Sequence, residues 1–554
     1  MKRRIYTILC LLTMAGFALV FVQEKWHPFE LKPLAGVTFE TERPKLTYQS
    51  FASGNYQTNI EQYSREHFGF REWHIRLYNQ FIYSAFNTTH CHFIVPGKNG
   101  WLFYTEAFNN YYGTEPIYKF HSYDRARQWA RKNVRMMNKL RYVLQDYDIE
   151  FLCFMAPDKA EIYPEYLPYH EPAPVNAVNT AAYYDSLMTA IDFPHVEMTK
   201  WYKTLKDTAS FTLFPKRDSH WRYSAVFGYD SLFCYMNSIN HFGIPDIHIN
   251  RLIQLDTMYP ENDEKTLNLI FPIGNDSPKY RADITIDCNE NCHKPKVLFV
   301  GDSFIWDLET YMPWKEILSD VEIWFYNKSA FLGFEKEKHP LTEIDRLQSI
   351  LKADYVVWYS SGYQWGLSSY GFVQDALLRL CVSDSLFEAQ IPWVMDSLRN
   401  NGVCDDSLRP RAVRILKNDP ELIPGLCGEA MPTIRNTQAI QRTQQAIAID
   451  SDKQWQTALR VVASQTDRSY QDVLQEEVNN LVAGRNLLRD GVAVDTATII
   501  ELEVEKLMNQ WRNNPESIQF LKEKAKQNGK TFETVLEEDA RWVVNERLRN
   551  GELL

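Results

Sequence analysis

Two short stretches of the chain hold residues that can make and break an ester. The first is Val297-Leu298-Phe299-Val300-Gly301-Asp302-Ser303-Phe304, a hydrophobic strand that ends in Gly-Asp-Ser and runs into a helix. A serine at such a junction is presented at the carboxyl edge of a sheet. The N–H groups of the following turn point into the same space, which is half of an oxyanion hole. Its hydroxyl is a poor nucleophile until a base takes the proton, so an imidazole must come from elsewhere. Among thirteen histidines, His220 stands apart, in Lys216-Arg217-Asp218-Ser219-His220-Trp221. A carboxylate two residues earlier can accept from Nδ1 and fix the tautomer in which Nε2 takes the serine proton. Ser303, His220 and Asp218 are therefore the expected nucleophile, base and orienting acid of an acyl-transfer site. Singly, a G-D-S is common at strand ends and a D-x-H is more often a satisfied polar pair. Their joint presence, with no competing motif, carries the expectation.

Groups so far apart in sequence need an α/β core to bring them together. Short continuous apolar runs at Ile149–Met155, Lys296–Val300, Val321–Phe325 and Tyr355–Trp358 alternate with helical periodicity, as after Ser122 and around Ile344–Leu351. Strands buried on both faces and separated by helices imply a mostly parallel sheet flanked by helices. Ligands of such sheets bind beyond the carboxyl ends of the strands. The residues placed there are Pro157–Lys159, Gly301–Phe304, Tyr326-Asn327 and Ser360–Tyr363. Lys159 is a substrate-binding candidate on this ground. Ser303 and Asn327 are the oxyanion-hole candidates, although a turn-forming role suits Asn327 as well. Ahead of the core, Phe93–Tyr104 has two apolar runs around Asn99-Gly100, a pair suited to positive φ, and reads as a hairpin.

The chain of 554 residues is long enough for more than one domain. Residues 1–25 read as a signal anchor, with a cleaved signal peptide as the alternative: Lys2, Arg3 and Arg4 precede an uncharged run from Ile5 to Val22, and a small-x-small cleavage site before Trp26 is hard to find. Residues 26–90 are a stalk and helical lead-in, 91–366 the α/β domain, and 367–554 an all-helical domain. Within the last, Leu459, Ala463, Val473 and Leu474 recur as Leu521, Ala525, Val535 and Leu536 at an offset of 62 (521 − 459), which implies a duplicated helical hairpin. A net charge of −11 with no basic, aromatic-interleaved block excludes nucleic acid as the expected partner. No phosphate loop, dinucleotide fingerprint or H-E-x-x-H is present, so neither cofactor nor metal is expected. Cys288 and Cys292, in the DCNENCH loop, are read as a disulfide pair, with a C-x3-C-H metal site as the weaker alternative.

The G-D-S-F after a strand, preceded by D-S-H-W 83 residues upstream (303 − 220), resembles the alginate O-acetyltransferase family of the AlgJ/AlgX type. Its SGNH-like domain is circularly permuted relative to ordinary GDSL esterases. The GKNGWLFY hairpin and the APDKAEIYPEYLP segment resemble elements of the same family, and the resemblance spans roughly Phe51 to Trp365. It implies a single-pass enzyme of the bacterial inner membrane whose periplasmic domain accepts an acetyl group from a multi-spanning membrane O-acyltransferase. Ser303 would carry the acetyl to a polysaccharide hydroxyl. Trp221, Tyr223, Trp306 and Trp365 are candidates for the floor of the acceptor groove, against a default of core packing. The chain departs from the family in Ser360-Ser361-Gly362, where a charged residue is common, and in its helical C-terminal region. A carbohydrate acetyl esterase would use the same triad with water as acceptor. A non-catalytic scaffold of a polysaccharide-assembly complex is the reading outside enzymes.

Overall fold

A computed structural model describes residues 2–36, 41–114, 122–168, 179–240, 243–258, 262–274, 277–288, 292–401, 403, 406–426, 436–466, 468–482 and 496–549. The chain divides into two compact units. One comprises residues 1–141, 150–340 and 355–371; the other comprises 142–149, 341–354 and 372–554.

The first unit opens with an apolar helix, Lys2–Trp26. Three helices follow at Tyr48–Ala52, Asn55–Glu66 and Arg71–Phe86. A hairpin of β1 (Ile94–Pro96) and β2 (Leu102–Tyr104) pairs Val95 with Phe103. Its turn uses the expected residues, with Asn99 at φ 55° and Gly100 at φ 75°. After the helix Tyr123–Gln145 come β3 (Glu150–Ala156) and β4 (His195–Glu197). A separate antiparallel ribbon follows, β5 (Asp246–Met258) with β6 (Pro278–Asp287). The sheet is then completed by β7 (Lys296–Gly301), β8 (Asp320–Phe325), β9 (Ser329–Leu332), β10 (Glu337–Pro340) and β11 (Tyr355–Ser361).

The seven-stranded sheet runs β10-β9-β8-β7-β11-β3-β4. Pairing is parallel from β8 through β4, and β9 and β10 add an antiparallel edge. Every residue of β11, and Val297–Gly301 of β7, is buried, as strands covered on both faces must be. Gly301 lies level with Phe325 of β8 and Tyr359 of β11. Residues just past these three strands therefore arrive together at one edge. Gly301 packs so closely on the Tyr359 carbonyl that a Cβ there has no room. Cys288 and Cys292 are joined by a disulfide, and the loop residues 289–291 between them lie outside the described residues.

The helical unit realises the duplication in detail. Leu459, Ala463, Val473 and Leu474 share one small core, and Leu521, Ala525, Val535 and Leu536 share another. Ser469 Oγ accepts from the Asp472 N–H at 3.1 Å, and Thr531 Oγ1 accepts from the Thr534 N–H at 3.2 Å, so each second helix starts on a hydroxyl cap. Arg468 pairs with Glu476 at 2.6 Å and Lys530 with Glu538 at 2.7 Å, again 62 positions apart (530 − 468).

Candidate active site

The loop after β7 and the loop holding Asp218 and His220 meet at the carboxyl edge of the sheet. His220 Nε2 is 2.7 Å from Ser303 Oγ, and His220 Nδ1 is 3.3 Å from Asp218 Oδ1. Asp218 Oδ1 also accepts the backbone N–H of His220 at 3.0 Å, which closes a tight turn between acid and base. Asp218 is fully buried, whereas the His220 side chain keeps 23% of its exposure, so the base faces solvent and the acid does not.

Charge is arranged to keep this order. Burial alone would raise the Asp218 carboxyl, but its hydrogen bond to His220 and the charge of Arg222 bring it down to about 2. Arg222 grips Asp218 Oδ2 through Nε at 3.0 Å and Nη2 at 2.6 Å, and its N–H donates to Asp307 Oδ2 at 3.1 Å. Arg222 adopts φ 51°, a conformation that costs a non-glycine residue about 1–2 kcal/mol. Burial pushes the His220 imidazole down, but the Asp218 hydrogen bond and charge outweigh it and leave the imidazole above its ordinary value. Beneath the serine, Asp302 Oδ2 accepts the Ser361 N–H at 2.8 Å and its hydroxyl at 2.7 Å. The Ser360-Ser361 pair thus anchors the nucleophile loop to β11.

Residues 94–230 match the family described as SGNH hydrolase-like domain, acetyltransferase AlgX. The matched segment holds Asp218 and His220 and ends before Ser303. Among solved structures, the O-acetyltransferase domain of Pseudomonas putida AlgJ is similar over 50% of this chain and 92% of its own, at 15% identity and a TM-score of 0.33. Pseudomonas aeruginosa AlgX is similar over 51% and 67%, at 11% identity and a TM-score of 0.31. Bacillus cereus PatB1, solved with a sulfonyl adduct, is similar over 49% and 96%, at 13% identity and a TM-score of 0.31. None of the curated proteins matches the chain.

The oxyanion expectation needs correction. The Asn327 side-chain amide donates to the Tyr370 carbonyl at 3.1 Å and does not reach the serine. Tyr326 and Asn327 are the two central residues of a tight hairpin turn, both at positive φ, which sends their side chains in different directions. Of the two, Tyr326 is the one whose phenol feels Ser303: burial raises its pKa, and the serine side chain and backbone oppose the rise. The turn after Ser303 offers less than expected. The Phe304 N–H donates to Asp302 Oδ1 at 3.0 Å, and the Ile305 N–H donates to the Asp302 carbonyl at 3.3 Å.

Three of the groove candidates are core residues. Trp221 is fully buried among Phe154, Tyr202, Tyr229 and Phe304. Tyr223 is fully buried with its hydroxyl donated to the Thr212 carbonyl. Trp365 is fully buried against Trp358, with ring centroids 4.0 Å apart. None can touch a sugar, because filling the space between sheet and helices takes these large rings. Lys159 is likewise buried: its Nζ lies 2.7–3.0 Å from the carbonyls of Leu102, Pro215, Lys216 and Asp218. It ties the hairpin to the loop bearing Asp218 and has no donor left for substrate. Trp306 packs against Phe325 and Phe331, with Lys336 Nζ 5.6 Å from its ring centre, and is the one aromatic candidate of the four that is only half-buried.

Proposed function

We propose that this protein is an extracytoplasmic O-acetyltransferase that carries an acetyl group on Ser303 and delivers it to a hydroxyl of a cell-surface or exported polysaccharide. The 2.7 Å contact between His220 Nε2 and Ser303 Oγ, with buried Asp218 behind the imidazole, is the observation that supports it. In the first half-reaction His220 takes the serine proton as Oγ adds to the acetyl carbonyl of the donor. The resulting oxyanion is placed to receive the Tyr326 hydroxyl and the Ser303 N–H. Collapse expels the donor's leaving group, which recovers the proton from His220. In the second half the acceptor hydroxyl attacks the acetyl-serine, passes its proton to His220, and Ser303 Oγ leaves with that proton. Asp218 stays ionised throughout and steadies the imidazolium.

The first helix, Lys2–Trp26, with its apolar span Arg4–Trp26, suits a single-pass anchor in a bacterial inner membrane, with the site on the periplasmic side. That location favours a multi-spanning membrane O-acyltransferase as the source of acetyl. The test uses the full chain in detergent with a chromogenic acetyl ester. Acetyl should accumulate on Ser303, and Ser303→Ala and His220→Ala should each lose at least about a thousandfold in rate. Wild-type behaviour in both variants would sink the proposal. Adding an oligosaccharide acceptor separates transfer from hydrolysis: acetyl appearing only as acetate would make the protein an esterase.

A further inference from the structure

Helix Arg71–Phe86 has its polarity reversed with respect to a water-facing helix. Trp73, Leu77 and Phe81 succeed one another at four-residue spacing on its outward face and are 49%, 55% and 60% exposed. Ala85 continues the row. The charged residues of the helix, Arg71, Glu72 and Arg76, are instead half-buried. Polar bonds hold the inward face to the rest of the unit. Arg76 donates to the Lys32 and Pro33 carbonyls at 2.9 and 2.7 Å, Asn79 donates to the Leu267 carbonyl at 2.8 Å, and Gln80 accepts the Phe271 N–H at 2.9 Å. A helix packed on a soluble domain normally shows the opposite distribution.

The neighbours of this face say what covers it. Gly69, two residues before the helix, lies against the Val20 carbonyl of the first helix with no space for a side chain. The Phe70 ring is 5.8 Å from that of Phe29. Gln23 fixes the bend between them by donating to the Phe29 carbonyl at 2.8 Å and accepting its N–H at 3.1 Å. Val20 is six residues from the end of the first helix (26 − 20), or about 9 Å along its axis. Amphipathic helices that lie in a bilayer interface embed their apolar face by about 5–10 Å. Tryptophan on such a face is enriched at the headgroup level.

We infer that helix Arg71–Phe86 lies along the outer surface of the bilayer that the first helix crosses, with Trp73, Leu77 and Phe81 set among phospholipid headgroups and upper acyl chains. The inference rests on the anchor being retained. It gives the catalytic unit a second membrane contact, so that it is held at a defined attitude above the lipid.

The experiment reconstitutes the full chain in phospholipid nanodiscs, with one nitroxide amino acid at a time at Leu12, Leu77, Phe81 or the exposed Thr189. Collision rates with oxygen and with a water-soluble nickel chelate are then compared. Leu77 and Phe81 should be several-fold less accessible to nickel than Thr189 and preferentially accessible to oxygen. Nickel accessibility equal to that of Thr189, beside a lipid-buried Leu12, overturns the surface contact and leaves the anchor standing. A water-accessible Leu12 overturns the anchor and the inference with it. Spin–spin broadening at Leu77 that disappears on dilution with unlabelled protein identifies a second copy as the occupant and also overturns it.

Discussion

Arg222 bonds to Asp218 and Asp307 and so grips the carboxylate that orients the base. Its charge opposes protonation of His220, while Asp218 favours it. Removing that charge in Arg222→Gln should therefore raise the imidazole further. Since the base must be neutral to accept the serine proton, the acid limb of kcat/KM should move to higher pH, with activity recovered in alkaline buffer. A purely structural arginine would lower activity at every pH alike, so the pH profile decides. The turn after β8 gives a second contrast. Tyr326→Phe removes the proposed oxyanion donor and should cost roughly a hundredfold in kcat, whereas Asn327→Ala should leave kcat within a few-fold. Steady-state kinetics of the two variants test this, and an Asn327 effect as large as that of Tyr326 would contradict the assignment. The sequence points to Asp218, His220 and Ser303 because their chemistry is written in local spacing and in a strand-to-helix junction. It cannot show that the Asn327 amide turns to the Tyr370 carbonyl, since the direction of a side chain in a tight turn depends on φ values that residue identity does not settle. Burial of Trp221, Tyr223 and Trp365 is a tertiary fact with no local mark.

Among elements, the loop bearing Asp218 has little regular structure and is shaped from outside. Lys159, just past β3, brings three N–H donors to four buried carbonyls, and the Trp101 ring lies 5.0 Å from its ammonium. Replacing it by the similarly long but uncharged methionine leaves those carbonyls without their donor, at a cost of about 3 kcal/mol or more. Because one of the four belongs to Asp218, Lys159→Met should lose ester turnover together with stability. Denaturant unfolding and rate measurement on the same preparation check the pair of effects, and retention of both would remove the ammonium as the organiser of the loop. The strands that carry the site are readable as unbroken apolar runs, which is what burial on both faces requires. The β5–β6 ribbon escapes such reading: its strands alternate apolar with polar residues around two register shifts. Within the helical lead-in of residues 26–90, Gly54 and Phe70, both at positive φ, each precede a separate helix.

At the scale of the whole molecule, the helical unit has cores of its own, built twice from the same pattern. Leu474 and Leu536 occupy equivalent positions, both buried and both on a second helix that starts at a hydroxyl cap. Truncating either to alanine should cost about 2–5 kcal/mol. With separate small cores, each loss should fall on its own hairpin, since opening follows locally cooperative groups of contacts. Peptide-resolved hydrogen exchange of Leu474→Ala should show faster exchange over 453–482, and that of Leu536→Ala over 515–549. Turnover of the acetyl ester should match wild type in both, because every side chain assigned to the chemistry belongs to the α/β unit. Faster exchange spreading through both hairpins in either variant would mean that the two copies share one cooperative core. A loss of turnover with the α/β unit's exchange unchanged would mean that the helical unit supplies part of the working site.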